Sequence, residues 1–192
     1  MEIITKDDFI VRKEEIRKRI LNGAVFIYPT DTIYGLGCNA LHDEAVQKIR
    51  DIKDRPTTPF SVIAPSKDWI VEHCGCINKK QCGSWLKKLP GPYTIIHKYN
   101  KSSGVSSLVT NGIRTIGVRI PDHWFSKIST EMGIPIVTTS ANKVGRDFMT
   151  SLENLDRGIK PHVDFIIYEG EKRGRPSQII DLVNPETKII ER

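Results

Sequence analysis

The sequence contains no apolar run of about 18 residues, the length at which a segment becomes a candidate for a membrane-spanning helix. The N-terminal segment MEIITKDDFIVRKEE is charged early and lacks the apolar core of a secretory signal peptide. These absences predict a cytoplasmic protein without membrane contact. In that compartment the thiols are expected to be reduced.

The common signatures of nucleotide binding and covalent catalysis are also absent. No G-x-x-x-x-G-K-[ST] loop occurs, and Tyr34-Gly35-Leu36-Gly37 lacks the third glycine of a dinucleotide-binding fingerprint. The five histidines form no Ser-His-Asp or Cys-His pattern that would supply a nucleophile. If the chain is an enzyme, we therefore expect it to act by positioning substrates and stabilising charge.

Aromatic residues make up only 7% of the chain, and no RRM, KH or OB signature is recognisable, which disfavours the reading of RNA sequence. The charge nonetheless favours anionic partners, because 29 basic and 23 acidic residues leave a net charge of +6. Binding of nucleotides, or weak direct binding of RNA, would fit this charge. A basic soluble protein without an anionic ligand is the plain alternative.

The chain has four cysteines, and three of them lie in the segment HCGCINKKQC. The C-x-C-x5-C arrangement of Cys74, Cys76 and Cys82 is not a usual zinc spacing, so we predict no metal site. The simplest interpretation is a connection between two helices that contains ordinary thiols. Metal binding by these cysteines stays open at this level.

The length of 192 residues and the hydrophobic content of 39% suit one globular domain, which we assign to residues 1–192. Periodicity and turn residues predict helices over 7–21, 43–54, 67–73, 79–88 and 122–132, a short helix over 151–155, and a loop over 100–112. Strands are predicted over 24–28, 60–64, 93–98, 115–120, 134–139, 164–170, 177–183 and 187–192. This order predicts an α/β or α+β fold with a twisted, mixed β-sheet flanked by helices.

Small polar residues follow several of the predicted strands. The clearest case is IYPTDTIYGLG, 27–37, where hydroxyls, an acid and two glycines follow a buried strand. Similar clusters occur at 53–59, 119–121, 138–145 and 173–177. Because open α/β sheets bind ligands at strand ends, these five loops predict one shared pocket. The competing interpretation is that strand ends are polar in any protein.

Three cationic residues are candidates for anion binding. Lys53 and Arg55 would point the same way from an extended chain and would suit a polyphosphate. Taken alone, the pair is better explained as charge that complements a helix C-terminus. Arg119, in the apolar strand GVRIP, needs a partner, which a ligand carboxylate or an internal acid would supply equally well.

Hydroxyl and amide side chains follow two further strands. In VTTSAN, Thr138, Ser140 and Asn142 would suit an anion, or would cap an ordinary turn. In GRPSQIID, Ser177 begins a strand after a basic loop, and exposure of that loop to solvent is the simpler interpretation.

Six motifs occur in order within residues 28–183: PTDTIYGLG, Lys53-x-Arg55-Pro56, PGPYTIIHK, GVRIPDH, TTSAN and PSQIID. Together they resemble the YrdC/Sua5 family, the threonylcarbamoyl-AMP synthases. The resemblance implies a YrdC-like fold with a large basic cavity. Since the longer Sua5 type carries a linker and an extra C-terminal domain, we expect the short, single-domain form.

The resemblance also implies a reaction, catalysed by a nucleotidyltransferase. L-threonine, bicarbonate and ATP with Mg²⁺ would give threonylcarbamoyl-AMP and pyrophosphate. A partner transferase complex would then move the threonylcarbamoyl group to adenosine 37 of tRNA.

Individual residues take roles from the same resemblance. Lys53 and Arg55 match the family's cationic pair, and would bind phosphates and offset charge during catalysis. The residues implied for threonine are Thr32, Arg119, Thr138 and Ser177. The residues implied for ATP are Lys53, Arg55, Thr58, Thr115, Ser140, Asn142 and Arg192.

Several positions depart from the family pattern. The loop after Arg55-Pro56 is one residue shorter than in many members, because only Thr57 and Thr58 precede Pro59. The substituted positions are Ile63 or Ala64 in place of a histidine, Gln178 in place of a threonine, and Phe148-Met149 in place of Ser-Pro.

Two other functions are kept as alternatives. One is a basic RNA-binding module without synthase activity, which threonine-independent binding of tRNA without ATP turnover would favour. The other is formation of carbamoyl-AMP, as in the YrdC-like domain of hydrogenase-maturation proteins, where the domain belongs to a much longer chain. A requirement for carbamoyl phosphate would favour that activity.

Overall fold

The structure is a computed structural model that describes residues 1–100 and 103–191, and it confirms the α/β fold with a mixed sheet flanked by helices. The described strands are β1 (Glu2–Thr5), β2 (Phe26–Tyr28), β3 (Gly35–Gly37), β4 (Ser61–Ile63), β5 (Cys74–Gly75), β6 (Tyr93–Tyr99), β7 (Thr115–Arg119), β8 (Ile136–Ser140), β9 (Phe165–Tyr168), β10 (Gln178–Asp181) and β11 (Lys188–Ile190). The described helices are α1 (Lys6–Val11), α2 (Lys13–Leu21), α3 (Asp43–Lys53), α4 (Lys67–His73), α5 (Lys79–Lys87), α6 (Ser107–Thr110) and α7 (Lys127–Met132).

The strands form one eleven-stranded sheet in the order β1-β9-β2-β3-β8-β4-β7-β6-β10-β11, and β5 pairs with β6 beside this path. The pairs β1–β9, β2–β9, β4–β7 and β6–β10 are parallel, whereas the remaining pairs are antiparallel. Among the helices of residues 1–100 and 103–191, none has the length and apolar character needed to cross a membrane.

Apolar side chains alternate between the two faces of the sheet, as the two-residue period of a strand requires. On β2, Phe26 and Tyr28 belong to a core that also contains residues of α1, α2 and α7. Ile27 points to the opposite face and belongs to the core that contains residues of α3, α4, α5 and α6. Helices therefore cover both faces of this half of the sheet.

The cover on the α1–α2–α7 face ends part of the way along the sheet. On β8, Ile136 packs in that core, whereas Thr138, two residues later on the same face, lines a cavity. On β6 and β7, Thr94 and Arg119 line the same cavity. Polar residues at these positions therefore mark the part of the sheet where helices no longer cover this face.

Three short strands, β1, β3 and β5, were not predicted, and each depends on pairing with another segment of the chain. β5 pairs with the end of β6. β1 pairs in parallel with β9, more than a hundred residues away along the chain. β3 consists of Gly35-Leu36-Gly37 and lies between β2 and β8. A Cβ atom at Gly35 would lie 2.8 Å from Cζ of Tyr28, and one at Gly37 would lie 2.5 Å from the Val137 carbonyl oxygen. The glycines therefore allow a close approach, although they lower the β propensity of the segment.

Most predicted elements are present with shorter bounds, but four predictions need correction. The helix predicted over 7–21 is interrupted at Arg12, whose φ and ψ are −101° and 20°. The loop predicted over 100–112 contains α6, which begins where Ser106 accepts a hydrogen bond from the Leu108 N–H. The helix predicted over 122–132 begins as a 3₁₀ helix, Trp124–Ser126, and becomes α-helical only in α7.

The fourth correction concerns the segment 151–155, which forms turns instead of a helix. The Asn154 side chain accepts hydrogen bonds from the backbone N–H groups of Thr150 and Ser151, at 2.9 and 3.0 Å. Asparagine side chains compete in this way with the backbone bonds of a helix.

The expectation of reduced thiols is wrong for Cys76 and Cys82, which form a disulfide, whereas Cys38 and Cys74 are free and buried. Packing of α5 against the end of β6 brings the Cα atoms of Cys76 and Cys82 within 6.3 Å, inside the range of disulfides.

We predict that Gly37→Ala lowers the free energy of unfolding by about 1–3 kcal/mol, because the added methyl group overlaps the Val137 carbonyl oxygen. Gly83→Ala in α5 is the matched control, since a Cβ there meets nothing within 4 Å. Helix propensity should make the control about 0.5–1 kcal/mol more stable. Urea unfolding measures both, and a Gly37→Ala protein as stable as the wild type would contradict the packing described for β3.

Candidate functional site

A cavity of about 290 Å³ lies over the open face of the sheet. Its walls come from β6, β7, β8 and β10, from the loop that connects β2 to β3, and from the segment between Arg55 and Ser61. The structure places eight of the residues proposed from the sequence around this cavity: Thr32, Arg55, Thr58, Thr115, Arg119, Thr138, Ser140 and Ser177. Segments that are distant along the chain therefore contribute to one pocket.

A second, more open hollow of about 390 Å³ adjoins the cavity, and we call it the outer hollow. Lys53 and Asn142 line the outer hollow instead of the cavity. Arg55, Thr58 and Ser140 line both spaces and form their common boundary. An elongated ligand could therefore extend from the cavity into the outer hollow past these three residues. Arg192, the last residue proposed for ATP, lies outside the described residues.

Arg119 combines an internal acidic partner with an unused donor. Its Nη2 donates to Oδ1 of Asp31 at 2.7 Å and to Oγ1 of Thr32 at 3.4 Å. The other carboxylate oxygen of Asp31 accepts a hydrogen bond from the Asp122 N–H at 3.0 Å. Arg119 is only 6% exposed, and its Nε has no hydrogen-bond partner among the described residues. The guanidinium is thus held in place while one buried donor remains available.

Hydroxyl groups fix the shape of the loop between β2 and β3. Thr30 Oγ1 donates to the Ile33 carbonyl oxygen at 2.6 Å and accepts from the Thr32 N–H at 3.1 Å. The Tyr34 hydroxyl donates to the Gly170 carbonyl oxygen at 2.7 Å and accepts from the Glu169 N–H at 3.1 Å. Burial raises the pKa of Tyr34, so the phenol stays protonated. These bonds explain why so many small polar groups follow a buried strand.

Lys53 is 2% exposed, and backbone and side-chain oxygens already surround its ammonium group. Its Nζ donates to the Ser140 carbonyl oxygen at 2.8 Å, to the Asn142 carbonyl oxygen, and to Asn142 Oδ1 at 3.3 Å. An ammonium group has three donors, so a phosphate would have to replace one of these acceptors. Burial, and then the nearby Arg55, lower the pKa of Lys53 to about 8, which still leaves it mostly protonated at pH 7.

Arg55 is the less engaged of the two cations. Its guanidinium lies 5.3 Å from the centre of the Phe60 ring, and its hydrogen bonds to Thr139 Oγ1 and the Pro59 carbonyl oxygen are long, at 3.5 and 3.4 Å. Burial, and then the neighbouring Arg50, lower the pKa of Arg55. An anion bound at the boundary of the two spaces would favour the charged form of Arg55. It would therefore oppose both of these effects on the pKa of Arg55.

Arg50 was not recognised as a site residue, yet it organises the loop that carries Arg55. It donates to the carbonyl oxygens of Arg55 at 2.6 Å, Pro56 at 3.2 Å and Thr58 at 3.4 Å. Its Nε donates to the Leu108 carbonyl oxygen at 2.8 Å, which joins the loop to α6. Four acceptors on one buried guanidinium explain how this shortened loop keeps a defined shape. The signal in the sequence was a cation on the buried side of α3.

Two hydroxyls meet on the opposite wall of the cavity. Ser177 Oγ lies 2.8 Å from Thr94 Oγ1, and both residues are buried. The parallel register of β6 and β10 explains this contact, because it pairs Ile179 with Thr94 and Gln178 with Tyr93. Thr94 was missed because a single threonine in an apolar strand carries no signal of a site. Asp31 lies in the motif PTDTIYGLG, but the resemblance implied no role for it.

Comparisons with known proteins agree with the motifs. The family model described as telomere recombination, which groups Sua5, YciO and YrdC, matches residues 18–192. A protein of Methanocaldococcus jannaschii provisionally named threonylcarbamoyl-AMP synthase is 38% identical over 180 residues, which cover 92% of this chain and 82% of that protein. The threonylcarbamoyl-AMP synthase of Vibrio vulnificus is 29% identical over 178 residues, 88% of this chain and 92% of its own length.

Solved structures show the same fold. Sua5 of P. abyssi in complex with L-threonine matches with a TM-score of 0.85 and 28% identity. The match covers 98% of this chain but only 56% of that one, so this chain spans about half of the longer protein. YciO of E. coli matches with a TM-score of 0.83 at 23% identity, over 100% of this chain and 94% of its own. The resemblance inferred from the six motifs is confirmed.

We predict that Lys53→Met lowers the free energy of unfolding by about 2–3 kcal/mol, because it leaves buried oxygens of Ser140 and Asn142 without their donor. Lys48→Met on the exposed side of the same helix is the control and should change stability little. Equal, small effects of the two substitutions on urea unfolding would show that Lys53 does not hold the turn after β8.

Proposed function

We propose that this chain, which belongs to the Sua5/YciO/YrdC family, is a threonylcarbamoyl-AMP synthase that acts as a nucleotidyltransferase on L-threonine, bicarbonate and ATP. The observation that carries the proposal is Arg119, which lines a cavity rich in hydroxyl groups and has a buried Nε without a partner among the described residues. A buried donor without a partner is costly, and a ligand carboxylate would satisfy it.

L-threonine would lie in the cavity, with its carboxylate on Nε of Arg119. Asp31 keeps Nη2 of this guanidinium occupied, and therefore fixes the direction in which Nε points. The hydroxyls of Thr32, Thr138 and Ser177 line the same space and offer partners for the amino and hydroxyl groups of the amino acid. In this arrangement Asp31 is a positioning residue that acts through Arg119.

ATP would extend across the boundary between the cavity and the outer hollow. Arg55, Thr58 and Ser140 lie at that boundary and would contact the phosphates, with Thr115 lining the cavity behind them. Asn142 lines the outer hollow, where the nucleoside would lie. Lys53 would contribute mainly by holding the turn that contains Ser140 and Asn142, since its three donors are engaged there.

The reaction needs no nucleophile from the protein. The amine of threonine adds to bicarbonate and water leaves, which gives a carbamate. A carbamate oxygen then attacks the α-phosphate of ATP, and the bond to the β-phosphate breaks, so that pyrophosphate leaves with the electron pair. The protein would hold the reactants in line, and Arg55 would offset the charge that develops on the phosphates.

Mg²⁺ would enter with ATP as part of the substrate. The charged side chains that line the cavity within the described part of the chain are Arg55 and Arg119, and both are cationic. The nearby carboxylate of Asp31 is engaged by Arg119 and by the Asp122 N–H. Because Mg²⁺ prefers carboxylate and phosphate oxygens, its ligands here would be phosphate oxygens of ATP and water.

The product would serve the modification of adenosine 37 in tRNA through a partner transferase complex, in the cytoplasm. An acyl adenylate is a reactive mixed anhydride, so its carbamoyl group is suited to transfer by a second enzyme. Weak direct binding of RNA to the basic surface stays a separate prediction.

The proposal predicts that pyrophosphate is released from ATP and Mg²⁺ only when threonine and bicarbonate are both present. Each component is omitted in turn, and carbamoyl phosphate replaces threonine and bicarbonate in a further reaction. Pyrophosphate release that continues when threonine is omitted would contradict the proposal. Release with carbamoyl phosphate in place of threonine and bicarbonate would contradict it as well. Tight tRNA binding without any release would favour the RNA-binding alternative.

We further predict that Arg119→Lys raises KM for threonine about 10- to 100-fold and changes kcat less, because lysine retains a charge for Asp31 but loses Nε. Arg114→Lys, on an exposed residue just before the same strand, should leave KM unchanged. Steady-state pyrophosphate release measures both variants, and thermal unfolding checks that both are folded. An unchanged KM for threonine in Arg119→Lys would remove Arg119 from the threonine site.

A further inference from the structure

A cluster of potential metal ligands lies outside the proposed synthase site. Cys76, Cys82 and His97 each offer one ligand atom, and these atoms all lie within 4.8 Å of one another. We call these three residues the thiol–imidazole cluster. The antiparallel register of β5 and β6 pairs Gly75 with Lys98, so that Cys76 and His97 come next to each other, and Cys82 approaches from α5. The sequence did not reveal the cluster because His97 lies in a different segment from the cysteines.

The two ring nitrogens of His97 make no strong hydrogen bond with the described residues. His97 is 1% exposed, and its Nε2 has no hydrogen-bond partner among the described residues. Its Nδ1 lies 3.6 Å from Cys76 Sγ, and sulfur is a weak hydrogen-bonding atom. Nδ1 is therefore the ring nitrogen that faces the cysteines, and its one described contact is a weak one that a metal ion can replace.

The distances fit a tetrahedral ion with sulfur and nitrogen ligands. Zinc binds thiolate sulfur at about 2.3 Å and imidazole nitrogen at about 2.0–2.1 Å, so neighbouring sulfur and nitrogen ligands lie about 3.6 Å apart. The Cys76 Sγ–His97 Nδ1 distance already has this value. The Cα atoms of Cys76 and Cys82 are 6.3 Å apart, toward the wide end of the range for disulfides, which leaves room for the two sulfurs to separate.

We propose that reduction of the Cys76–Cys82 disulfide creates a Zn²⁺ site formed by the two sulfurs and Nδ1 of His97, with water in the fourth position. A dithiol reductant supplies two electrons and two protons to the disulfide and itself becomes a disulfide. Zn²⁺ then replaces the two thiol protons, which pass to solvent, while Nε2 keeps the imidazole proton. Two thiolates and Zn²⁺ sum to zero charge, which suits the partly apolar surroundings of Cys82.

The position of the cluster gives it a structural consequence. The disulfide joins α5 to the residue that follows β5, and β5 pairs with β6. A bound ion would add His97 of β6 to this link, and the other face of β6 carries Thr94 and Ile96 of the cavity wall. The reduced, metal-free chain would have neither the disulfide nor the link through the ion. Reduced protein should therefore unfold at a higher temperature with Zn²⁺ than without it.

The test uses the full chain, which is first reduced with dithiothreitol. The reductant is then removed under anaerobic conditions. Titration with Co²⁺ should give the absorption of thiolate–Co²⁺ bonds and saturate at one ion per chain, and Zn²⁺ should displace the Co²⁺. The oxidised chain should show no such absorption. Cys82→Ser and His97→Ala should lose the stoichiometric ion. Cys74→Ser, which removes a buried cysteine outside the cluster, should keep it.

Alkylation of the wild-type chain provides a second readout that does not depend on the folding of a variant. Zn²⁺ should protect Cys76 and Cys82 of the reduced chain from iodoacetamide, as measured by mass spectrometry of peptides. Absence of thiolate–Co²⁺ absorption in the reduced wild type would overturn the proposal. It would be overturned equally by full binding in a folded His97→Ala variant, or by alkylation of Cys76 and Cys82 at the same rate with and without Zn²⁺.

Discussion

The alternation of side chains along the strands is the constraint on which the rest of this structure depends. Where α1, α2 and α7 cover one face of the sheet, the inward positions are large and apolar, as with Phe26 and Tyr28 on β2. Where that cover ends, the same face presents small or polar side chains of β6 and β7 to the cavity, together with the apolar Ile96 and Ile179. On the opposite face, Ile95, Val118 and Ile180 continue the other core, and the buried His97 is a polar residue on that face of β6. One sheet thus provides both a core and the wall of a cavity.

Buried cations give the loops around the cavity their shape. Arg50 binds the carbonyl oxygens of the loop that carries Arg55, and Lys53 binds those of the turn after β8. Arg119 is oriented by Asp31, which also binds the Asp122 N–H. In each case a fixed charge satisfies oxygens that would otherwise be buried without donors. The Nε of Arg119 has no partner among the described residues, and the guanidinium of Arg55 is held by long hydrogen bonds.

The sequence was sufficient where local pattern decides the structure. Helical periodicity predicted α3, and short apolar runs bounded by turn residues predicted β2, β4, β6 and β7. Tertiary contacts decided the rest. Gly35-Leu36-Gly37 has low strand propensity and becomes β3 only because β2 and β8 approach it closely. The direction of Lys53 depends on carbonyl groups more than eighty residues away, and a pair of cysteines beside His97 is visible only after folding.

A crystal structure of the protein with L-threonine and a non-hydrolysable ATP analogue tests the central claim most directly, namely that the open face of the sheet is the synthase site. The account predicts the threonine carboxylate within hydrogen-bond distance of Nε of Arg119, with the phosphates at the boundary formed by Arg55, Thr58 and Ser140. Threonine bound outside this cavity, or phosphates on the opposite side of the sheet, would contradict it.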